Sequence, residues 1–286
     1  MRLPSLPPRT SWAPLVERAL AEDLGSGDVT SHAVLPPDAA GEAVVEAREA
    51  LVACGLPIAE AVFAAVDPAL ETKREWAEGE ARERDLPLLV VRGSLRSILA
   101  AERTALNFLQ RMCGVATLAR RFALAVEGTG CRVLDTRKTL PGWRVLDKYA
   151  TAVGGVCNHR MGLYDAILIK DNHVAAAGGV GAAVRAARAA AAPGLRVQVE
   201  VESAEQAEEA LAAGADWLLL DNRSLDELRA LAARFRERAV LEASGGVTLA
   251  NVRAIAETGV HFVSAGALTH SAPAADVALE IRRVGA

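Results

Sequence analysis

The stretch AILIKDNH, residues 166–173, runs from an apolar tetrapeptide directly into four polar side chains. Its first half is typical of a short buried strand. Lys170 therefore stands at the carboxyl end of a core strand, where solvation, a salt bridge or a binding site could each explain a lysine. His173 could equally cap the segment that follows. The surroundings of this strand decide between these interpretations.

Five further apolar runs of the same kind occur between residues 131 and 266, at 131–136, 196–202, 217–222, 239–244 and 261–266. Amphipathic helical patterns separate the runs, at 144–154, 179–191, 203–213, 224–237 and 248–258. Strands that alternate with helices across short loops indicate parallel βαβ units. The helix starts and stops agree, with Ser203, Ser224 and Thr248 as expected N-caps and Gly214 and Gly259 as expected C-terminal glycines.

The ends of these strands favour a barrel over a doubly wound sheet. In α/β barrels the functional residues gather at the carboxyl ends of all the strands, whereas a doubly wound sheet concentrates them at one switch point. Every predicted strand here ends in a polar or glycine-bearing sequence, and no G-x-G-x-x-G follows the first strand. We therefore predict an incomplete α/β barrel with six strands.

The first 110 residues follow a different pattern. Strand-like runs at 42–48 and 87–92 precede a helical run at 95–127, which predicts a smaller α+β domain. The predicted domains are 1–110 and 111–271. Residues 273–284 have a helical pattern, and the segment 272–286 is expected to pack back on the first domain.

The composition excludes several classes of partner. The chain of 286 residues has a net charge of −4 and a pI near 5.8, which argues against a nucleic-acid surface. No apolar run approaches the roughly 18 residues of a membrane span, so no membrane partner is expected. Four cysteines without a C-x-x-C pair indicate packing residues in a reduced, cytoplasmic protein.

Lysine is rare in this chain. Only Lys73, Lys138, Lys148 and Lys170 occur, and the other basic residues, histidines aside, are arginines. A lysine supplies a compact, orientable point charge that arginine does not. Lys73 and Lys148 lie in charged or amphipathic surroundings, where a surface or salt-bridged role is the default interpretation.

The strand ends and the loops between the strands together predict one anion site. The basic or potentially basic side chains come from the early units, and two carboxylates come from the middle ones: Arg137, Lys138, His159, Arg160 and Lys170, then Glu200 and Asp221. Clustered cations bind phosphates or carboxylates, and the glycine-bearing ends at 243–246 and 264–267 could cradle a phosphate. Carboxylates beside such cations suit Mg²⁺ that bridges substrate phosphates.

Each feature taken alone has an ordinary explanation. A lysine at a strand end is usually solvated or paired, and S-G-G alone is a turn. Two other functions fit the barrel as well: a class I aldolase in which Lys170 forms a Schiff base, and an anion-binding protein without catalysis. The distribution of charge, with cations on the early units and acids on the middle ones, is harder to explain by solvation.

The chain also resembles the quinolinate phosphoribosyltransferase family over residues 17–271. The matching stretches are EDLGSGDVTS (22–31), AERTALNFLQRMCGVAT (101–117), DTRKTLPGWRVLDKYATAVGG (135–155), NHRMGLYDAILIKDNHV (158–174), VEVES (199–203), LLLDN (218–222), LEASGGV (241–247) and GALTHS (266–271). The resemblance implies a type II phosphoribosyltransferase fold, with an N-terminal α/β sandwich and an incomplete α/β barrel. It implies transfer of phosphoribosyl from phosphoribosyl pyrophosphate to quinolinate with decarboxylation; a relative that acts on nicotinate is the alternative.

The resemblance also implies roles for individual residues. Lys138, Lys170, Glu200 and Asp221 would be catalytic, the two carboxylates lying near the ribose and Mg²⁺. The groups that would bind quinolinate and the phosphates are Thr136, Arg137, Lys138, His159, Arg160, Lys170, Glu200 and Asp221, with Ser244, Gly245, Gly246, Ser264, Ala265 and Gly266 for the 5′-phosphate. Arg103 would reach the active site of the partner in a homodimer. Lys148 also falls inside a matching stretch, which makes its surface assignment less secure.

Overall fold

A computed structural model describes residues 3–284 of the chain. They form two compact units with different bounds from the predicted domains. The first unit holds residues 3–120, 140–155 and 272–284, and the second holds residues 121–139 and 156–271. Each unit is therefore built from separate stretches of the chain.

The helices and strands alternate along most of the chain. After a 3₁₀ turn at Arg9–Ser11, the helices are α1 (Ala13–Leu24), α2 (Val29–Val34), α3 (Leu56–Val66), α4 (Leu95–Ala125), α5 (Arg144–Gly154), α6 (Asp171–Ala177), α7 (Val180–Ala190), α8 (Ala204–Ala212), α9 (Leu225–Phe235), α10 (Val252–Ala256) and α11 (Ala267–His270). The strands are β1 (Ala40–Ala47), β2 (Leu51–Val52), β3 (Glu71–Arg74), β4 (Ala81–Arg82), β5 (Leu86–Ser94), β6 (Arg132–Leu134), β7 (Ile167–Ile169), β8 (Val197–Glu200), β9 (Trp217–Asp221), β10 (Val240–Ser244), β11 (Phe262–Ser264) and β12 (Val277–Val284).

The first unit contains a four-stranded antiparallel sheet in the order β12-β1-β5-β3 and a separate pair β2-β4. In β1, Ala43 and Val45 are fully buried and point to one face, as a half-buried strand requires. The apolar faces of α3 and α4 supply much of the remaining core, including Phe63 and Phe108. The expected strands at 42–48 and 87–92 and the long helix from residue 95 are confirmed.

The helix predicted over residues 273–284 is wrong, because Val277–Val284 form β12. This strand pairs antiparallel with β1, placing Val277 opposite Ala47. In VALEIRRV the apolar residues Val277, Leu279 and Ile281 alternate with other residues, which is the period of a strand. The C-terminal segment does join the first unit, as a sheet edge instead of a helix.

The second unit contains a six-stranded parallel sheet in the order β6-β11-β10-β9-β8-β7. The first strand therefore lies beside the last, as in a barrel. On the other side of β6, Leu134 forms a single parallel bridge with Cys157, which precedes β7 in the chain. The circle of strands is complete except between Cys157 and β7. The predicted incomplete barrel is confirmed, and all six predicted strands are present with shorter ends.

Two of the predicted helix caps are confirmed and one is wrong. The Ser203 hydroxyl accepts from the Gln206 N–H at 3.2 Å, and Ser224 forms a capping box with Glu227. Helix α10, however, begins only at Val252, after Asn251. The Thr248 N–H donates to the Asn251 side chain at 2.8 Å, so Thr248 belongs to the turn before the helix.

The lysines and cysteines outside the barrel mouth are placed as follows. Lys73 is exposed and paired with Glu75, as predicted. Lys148 is 1% exposed, which contradicts the surface alternative predicted for it and leaves the salt-bridged one. All four cysteines are free thiols; Cys54, Cys113 and Cys131 are buried and Cys157 is half-buried, in agreement with the packing roles predicted for them. Between residues 3 and 284, no helix is both long and apolar enough to cross a bilayer.

Candidate active site

A cavity of about 640 Å³ lies at the carboxyl ends of the barrel strands. Alternate residues at the ends of several strands line it, such as Leu219 and Asp221 of β9 and Glu242 and Ser244 of β10. This alternation follows from the strand period of two, which turns every second side chain toward the barrel interior. The cavity therefore lies where α/β barrels bind their substrates.

The structure brings most of the predicted site residues together. Those that line the cavity are Thr136, Arg137, Lys138, His159, Arg160, Lys170, Asp221, Ser244, Gly245, Gly246, Ser264 and Gly266. Glu200 does not line it but accepts a hydrogen bond from Lys170 Nζ at 3.2 Å. Ala265 is 1% exposed, and its N–H donates to the Leu134 carbonyl. Arg103 belongs to the first unit, where its side chain is exposed on α4.

Lys170 is held at the junction between β7 and α6. Its N–H donates to His173 Nδ1 at 3.0 Å, while its carbonyl accepts from the His173 N–H at 2.8 Å. His173 therefore caps the helix, which is one of the two roles considered for it. The side chain of Lys170 is about half exposed and points its ammonium group toward Glu200. The polar end of this strand thus combines a helix cap with a cation at the cavity.

Two arginines bring positive charge to the same wall. Arg160 donates from Nη1 to the Ala166 carbonyl at 3.1 Å, which anchors its guanidinium to the segment before β7. Burial and the neighbouring charge of Arg137 lower the pKa of Arg160. Like charges held this close favour an anion between or beside them.

Lys138 packs against a glycine. A Cβ at Gly266 would lie 2.9 Å from Lys138 Cδ and 3.2 Å from His270 Nε2, so glycine leaves room for both side chains. The Thr269 hydroxyl donates to the Lys138 carbonyl at 2.7 Å, and the Lys138 N–H donates to the Thr136 hydroxyl at 3.1 Å. The backbone of this loop is therefore fixed on both sides of the lysine.

The loop after β10 brings two glycines to the cavity. Gly245 and Gly246 have φ values of +94° and +58°, which glycine adopts at little cost. A Cβ at Gly245 would lie 2.1 Å from Asn222 Oδ1, so only glycine fits there. Asn222 is itself left-handed, with φ of 52°, and its N–H donates to the Ser244 carbonyl at 2.9 Å. The ends of β9 and β10 are thus locked together.

Asp135 fixes the segment that carries His159 and Arg160. It is fully buried, and its carboxylate accepts from the His159 N–H at 2.8 Å and from Asn158 Nδ2 at 2.6 Å. Asp135 stands immediately after β6, in the predicted first strand, and the prediction assigned it no role of its own. Its place at a strand end was visible in the sequence, but its partner 23 residues away was not.

The sequence prediction also missed Glu242 as a residue of the cavity wall. Glu242 is 2% exposed and lines the cavity. Its Oε2 accepts from Gln198 Nε2 at 2.7 Å and lies 3.3 Å from His159 Nε2. A glutamate inside the apolar run AVLEAS and a glutamine inside RVQVEVE were the available signals, because a central parallel strand is usually apolar throughout.

The donors present fit Mg²⁺ that arrives with a phosphorylated substrate better than a metal held by protein alone. Among residues 3–284, no group of three or more His, Cys, Asp or Glu side chains is arranged to hold a metal ion. Mg²⁺ commonly keeps its waters and uses only one or two carboxylates plus substrate phosphates. Asp221 lines the cavity and could be such a ligand, directly or through water.

The barrel and its cationic, glycine-edged cavity define an enzyme that acts on small anionic substrates. The chain matches the family described as "Quinolinate phosphoribosyl transferase, N-terminal domain" over residues 28–113, and the corresponding C-terminal domain over residues 115–280. It is 42% identical to the nicotinate-nucleotide pyrophosphorylase [carboxylating] of Mycobacterium leprae, covering 93% of this chain and 95% of that relative. The probable enzyme of that name from Synechocystis is 39% identical over 97% of this chain and 95% of its own.

Solved structures agree with the sequence relatives. NadC of Streptococcus pyogenes superimposes with a TM-score of 0.94 at 35% identity, covering 98% of this chain and 99% of that one. The nicotinate-nucleotide pyrophosphorylase of Francisella tularensis gives 0.92 at 36% identity, covering 96% and 97%. The chain belongs to the quinolinate phosphoribosyltransferase family.

Proposed function

We propose that the barrel cavity binds quinolinate and phosphoribosyl pyrophosphate and converts them into nicotinate mononucleotide, pyrophosphate and CO₂. The observation that carries this proposal is the presence of four cationic side chains around one cavity: Arg137, Lys138, Arg160 and Lys170. Quinolinate has two adjacent carboxylates, and the other substrate carries a phosphate and a pyrophosphate. Together they supply enough negative charge to occupy such a cluster.

The two sides of the cavity suit the two substrates. Arg137, Arg160 and Lys170 can hold the carboxylates of quinolinate, since arginine binds a carboxylate through two parallel hydrogen bonds. The loop at Gly245 and Gly246 can hold the 5′-phosphate through backbone N–H groups. This assignment also explains the glycines, because a side chain there would occupy the space of the phosphate.

The reaction requires charge stabilisation and orientation, and no covalent bond to the protein. The pyridine nitrogen forms a bond to ribose C1 as the C1–O bond to pyrophosphate breaks and its electron pair leaves with pyrophosphate. The ribose ring becomes positively charged in the transition state, and Asp221 and Glu200 would stabilise that charge. Lys138 would stabilise the negative charge on the departing pyrophosphate. Holding both substrates in line supplies much of the remaining rate enhancement.

Decarboxylation follows from the first step. The ring nitrogen is positively charged once it carries ribose. When the C–C bond to the 2-carboxylate breaks, its electron pair stays on the ring carbon beside that charge, CO₂ leaves and a proton replaces it. The protein's task at this stage is to hold the remaining 3-carboxylate, for which Arg137 and Arg160 are suitably placed.

We also propose that Mg²⁺ accompanies phosphoribosyl pyrophosphate, with Asp221 and Glu200 as its nearest protein carboxylates. When bound, Mg²⁺ would neutralise charge on the pyrophosphate. Chelation of Mg²⁺ with EDTA should abolish turnover without lowering the melting temperature, because no described residues form a metal site that the fold depends on. A lower melting temperature on chelation would instead indicate a structural metal.

A homodimer that shares Arg103 is a further part of the proposal. Arg103 is exposed on α4, and an exposed guanidinium suits binding of a partner's anionic substrate. Mixing two inactive variants, Arg103→Ala and Lys170→Ala, should restore part of the activity, because one site of a mixed dimer keeps both side chains. Each variant refolded alone is the control. No recovery from mixtures shown to exchange subunits would contradict a shared site.

The location proposed is the cytoplasm. All four cysteines are free thiols, so none of them forms a disulfide that would need an oxidising compartment. Cell fractionation with a tagged chain would test this.

The function is tested by turnover with a labelled substrate. Quinolinate carrying a labelled 2-carboxylate should release labelled CO₂ and give nicotinate mononucleotide when Mg²⁺ and phosphoribosyl pyrophosphate are present. Nicotinate in its place should give no product. Product from nicotinate without CO₂ would assign the chain to a related phosphoribosyltransferase activity, and no product from either acid would contradict the proposal.

A further inference from the structure

Below the cations of the cavity, three polar side chains form a hydrogen-bonded chain inside the barrel. His159 precedes β7, Gln198 lies on β8 and Glu242 lies on β10. Gln198 and Glu242 are 4% and 2% exposed. Burying an amide and a carboxylate in a barrel interior costs free energy unless both are hydrogen-bonded, so their mutual arrangement is informative.

The hydrogen bonds of His159 have a fixed direction. The Arg160 backbone N–H donates to His159 Nδ1 at 2.7 Å, so Nδ1 presents a lone pair and carries no proton. The ring proton of the neutral imidazole is therefore on Nε2. That atom lies 3.1 Å from Gln198 Oε1 and 3.3 Å from Glu242 Oε2, both of which can accept it. His159 is thus held as one tautomer, with both ring nitrogens engaged.

Glu242 determines which way the Gln198 amide faces. A carboxylate only accepts, so it selects the NH₂ group of Gln198, which donates to Glu242 Oε2 at 2.7 Å. The Gln198 carbonyl oxygen is then left facing His159, where it can accept only from a protonated Nε2. The order of donors therefore runs from the Arg160 N–H through His159 and Gln198 to Glu242.

We propose that Glu242 and Gln198 are positioning residues: they hold His159 in its Nε2–H tautomer and thereby fix Arg160 at the cavity. This inference rests on the proposed function, since it concerns the part of the cavity assigned to quinolinate. It also changes the role of His159 from a cationic ligand of the substrate to a neutral, oriented ring. Arg160 is then anchored twice, through its backbone at His159 and through its guanidinium at the Ala166 carbonyl.

Glutamine at position 242 is expected to disturb the hydrogen bonds of Gln198 and His159. An amide at position 242 can present either its oxygen or its NH₂ group, so Gln198 is no longer selected in one orientation. If Gln198 turns its NH₂ group toward His159, Nε2 must accept and the ring proton must move to Nδ1. A protonated Nδ1 opposes the Arg160 N–H, and Arg160 is displaced.

The test uses both single variants and their combination. Glu242→Gln and Gln198→Glu should each lower kcat/KM for quinolinate by about tenfold to a hundredfold, since a small misplacement of a binding group has effects of this size. KM for phosphoribosyl pyrophosphate should stay unchanged. The double variant Gln198→Glu with Glu242→Gln restores one carboxylate and one amide, and the carboxylate then accepts from both His159 Nε2–H and the new NH₂ group. Its kcat/KM should return close to that of the original protein.

The control is Glu237→Gln, the same substitution at an exposed position on the segment after α9. It should leave kcat/KM unchanged. Melting temperatures are measured throughout, because a purely structural role would make activity follow stability. A double variant that regains its melting temperature but not its activity would overturn the proposal.

A second measurement does not depend on turnover. Nitrogen-15 NMR of histidine side chains in the protein without substrates reports the tautomer of each ring, and comparison with a His159→Gln variant assigns the signal. His159 should be the Nε2–H tautomer in the original protein and a mixture of tautomers in Glu242→Gln. An Nδ1–H tautomer in the original protein would refute the inference. A correct tautomer in a protein that does not turn over quinolinate would refute the proposed function only.

Discussion

The two units use charged side chains in opposite ways. In the first unit, two pairs of charged side chains neutralise each other within the unit: Arg111 donates to both oxygens of Asp147 at 3.0 Å, and Arg74 pairs with Glu60. In the second unit, four cations line one cavity together with only two described carboxylates, Asp221 and Glu242. Counting Glu200, which pairs with Lys170, the cations still exceed the acids.

This difference separates charge that stabilises the fold from charge reserved for a ligand. Removal of one partner from a buried ion pair strongly destabilises a protein, because the charge of the other partner is left uncompensated. Cations crowded around an open cavity repel one another until an anion arrives. Removing one of them should therefore affect binding and turnover much more than stability.

The largest expected effect falls on the first unit. Asp147→Ala removes the carboxylate that accepts two hydrogen bonds from the largely buried Arg111 and should lower the free energy of unfolding by about 3–5 kcal/mol. Chemical denaturation measures it. The matched control is Asp226→Ala, whose side chain is 94% exposed and paired with Arg229, and which should change stability by about 0.5 kcal/mol or less. Equal effects of the two substitutions would mean that the Arg111 pair is not structural.

Substitution of Lys170 is expected to lower activity and to leave stability nearly unchanged. Lys170→Ala should reduce kcat/KM for quinolinate by about 10²-fold, because the carboxylate that Lys170 holds would no longer orient the pyridine nitrogen toward ribose C1. The melting temperature should stay close to that of the original protein, since Lys170 is half exposed. Lys73→Ala, at another exposed lysine with a glutamate partner, should leave both quantities unchanged. An unchanged kcat/KM in Lys170→Ala would remove Lys170 from the mechanism.

A smaller effect is expected on the glycine side of the cavity. Gly245→Ala places a Cβ 2.1 Å from Asn222 Oδ1 in a backbone with φ of +94°. We expect a loss of about 1–3 kcal/mol in the free energy of unfolding and a higher KM for phosphoribosyl pyrophosphate. Gly128→Ala has a similar φ of +80° but open space around it, and separates backbone strain from the clash. If both variants raise that KM equally, the clash with Asn222 is not the cause.

The smallest effect concerns Glu78 of the first unit, whose charge lacks a close basic partner of the kind Asp147 has. Its carboxylate accepts from the Tyr149 hydroxyl at 2.9 Å and the Leu56 N–H at 2.7 Å, and burial raises its pKa above the usual 4.5. The folded state therefore binds the proton of the Glu78 carboxyl group more tightly than the unfolded chain does. The stability that the protonated group contributes is present below pH 4.5 and is lost as the pH rises through the raised pKa.

Substitution of Glu78 tests the predicted direction in which its contribution to stability changes with pH. Glu78→Gln keeps an uncharged side chain at all pH values, so its stability relative to the original protein should increase as the pH rises above 4.5. Denaturation curves at several pH values measure the difference. A difference that is constant with pH would show that burial does not disfavour the charged form of Glu78.

The sequence predicted the parts of this molecule that depend on local patterns. Apolar runs with polar ends predicted all six barrel strands. Basic side chains and glycines at the strand ends predicted most of the residues that line the cavity. The parts that depend on distant partners were missed. Gln198 and Glu242 can be recognised as part of the site only from the hydrogen bond between them, which joins residues 44 positions apart in the sequence. Lys148 was predicted as a surface or salt-bridged residue because α5 has an amphipathic pattern, yet its side chain is buried.

The C-terminal strand was also predicted wrongly because its pairing partner is distant in the sequence. Residues 277–284 have enough alanine, glutamate and arginine to suggest a helix. Pairing with β1 overrides that preference, because an edge strand gains backbone hydrogen bonds and buries Val277. The period-two pattern was present in the sequence, but its partner was more than 200 residues away.

That pairing also has a consequence for biosynthesis. Ala47 of β1 meets Val277 of β12, so a ribosome must make all the residues between these two strands before the four-stranded sheet of the first unit can be completed. The residues of the second unit lie between these two strands in the chain and can fold earlier, since their sheet pairs mostly strands that follow one another. Until β12 has been made, the nascent chain carries β1 as an exposed edge, which is the kind of surface that chaperones cover and that aggregates when they do not.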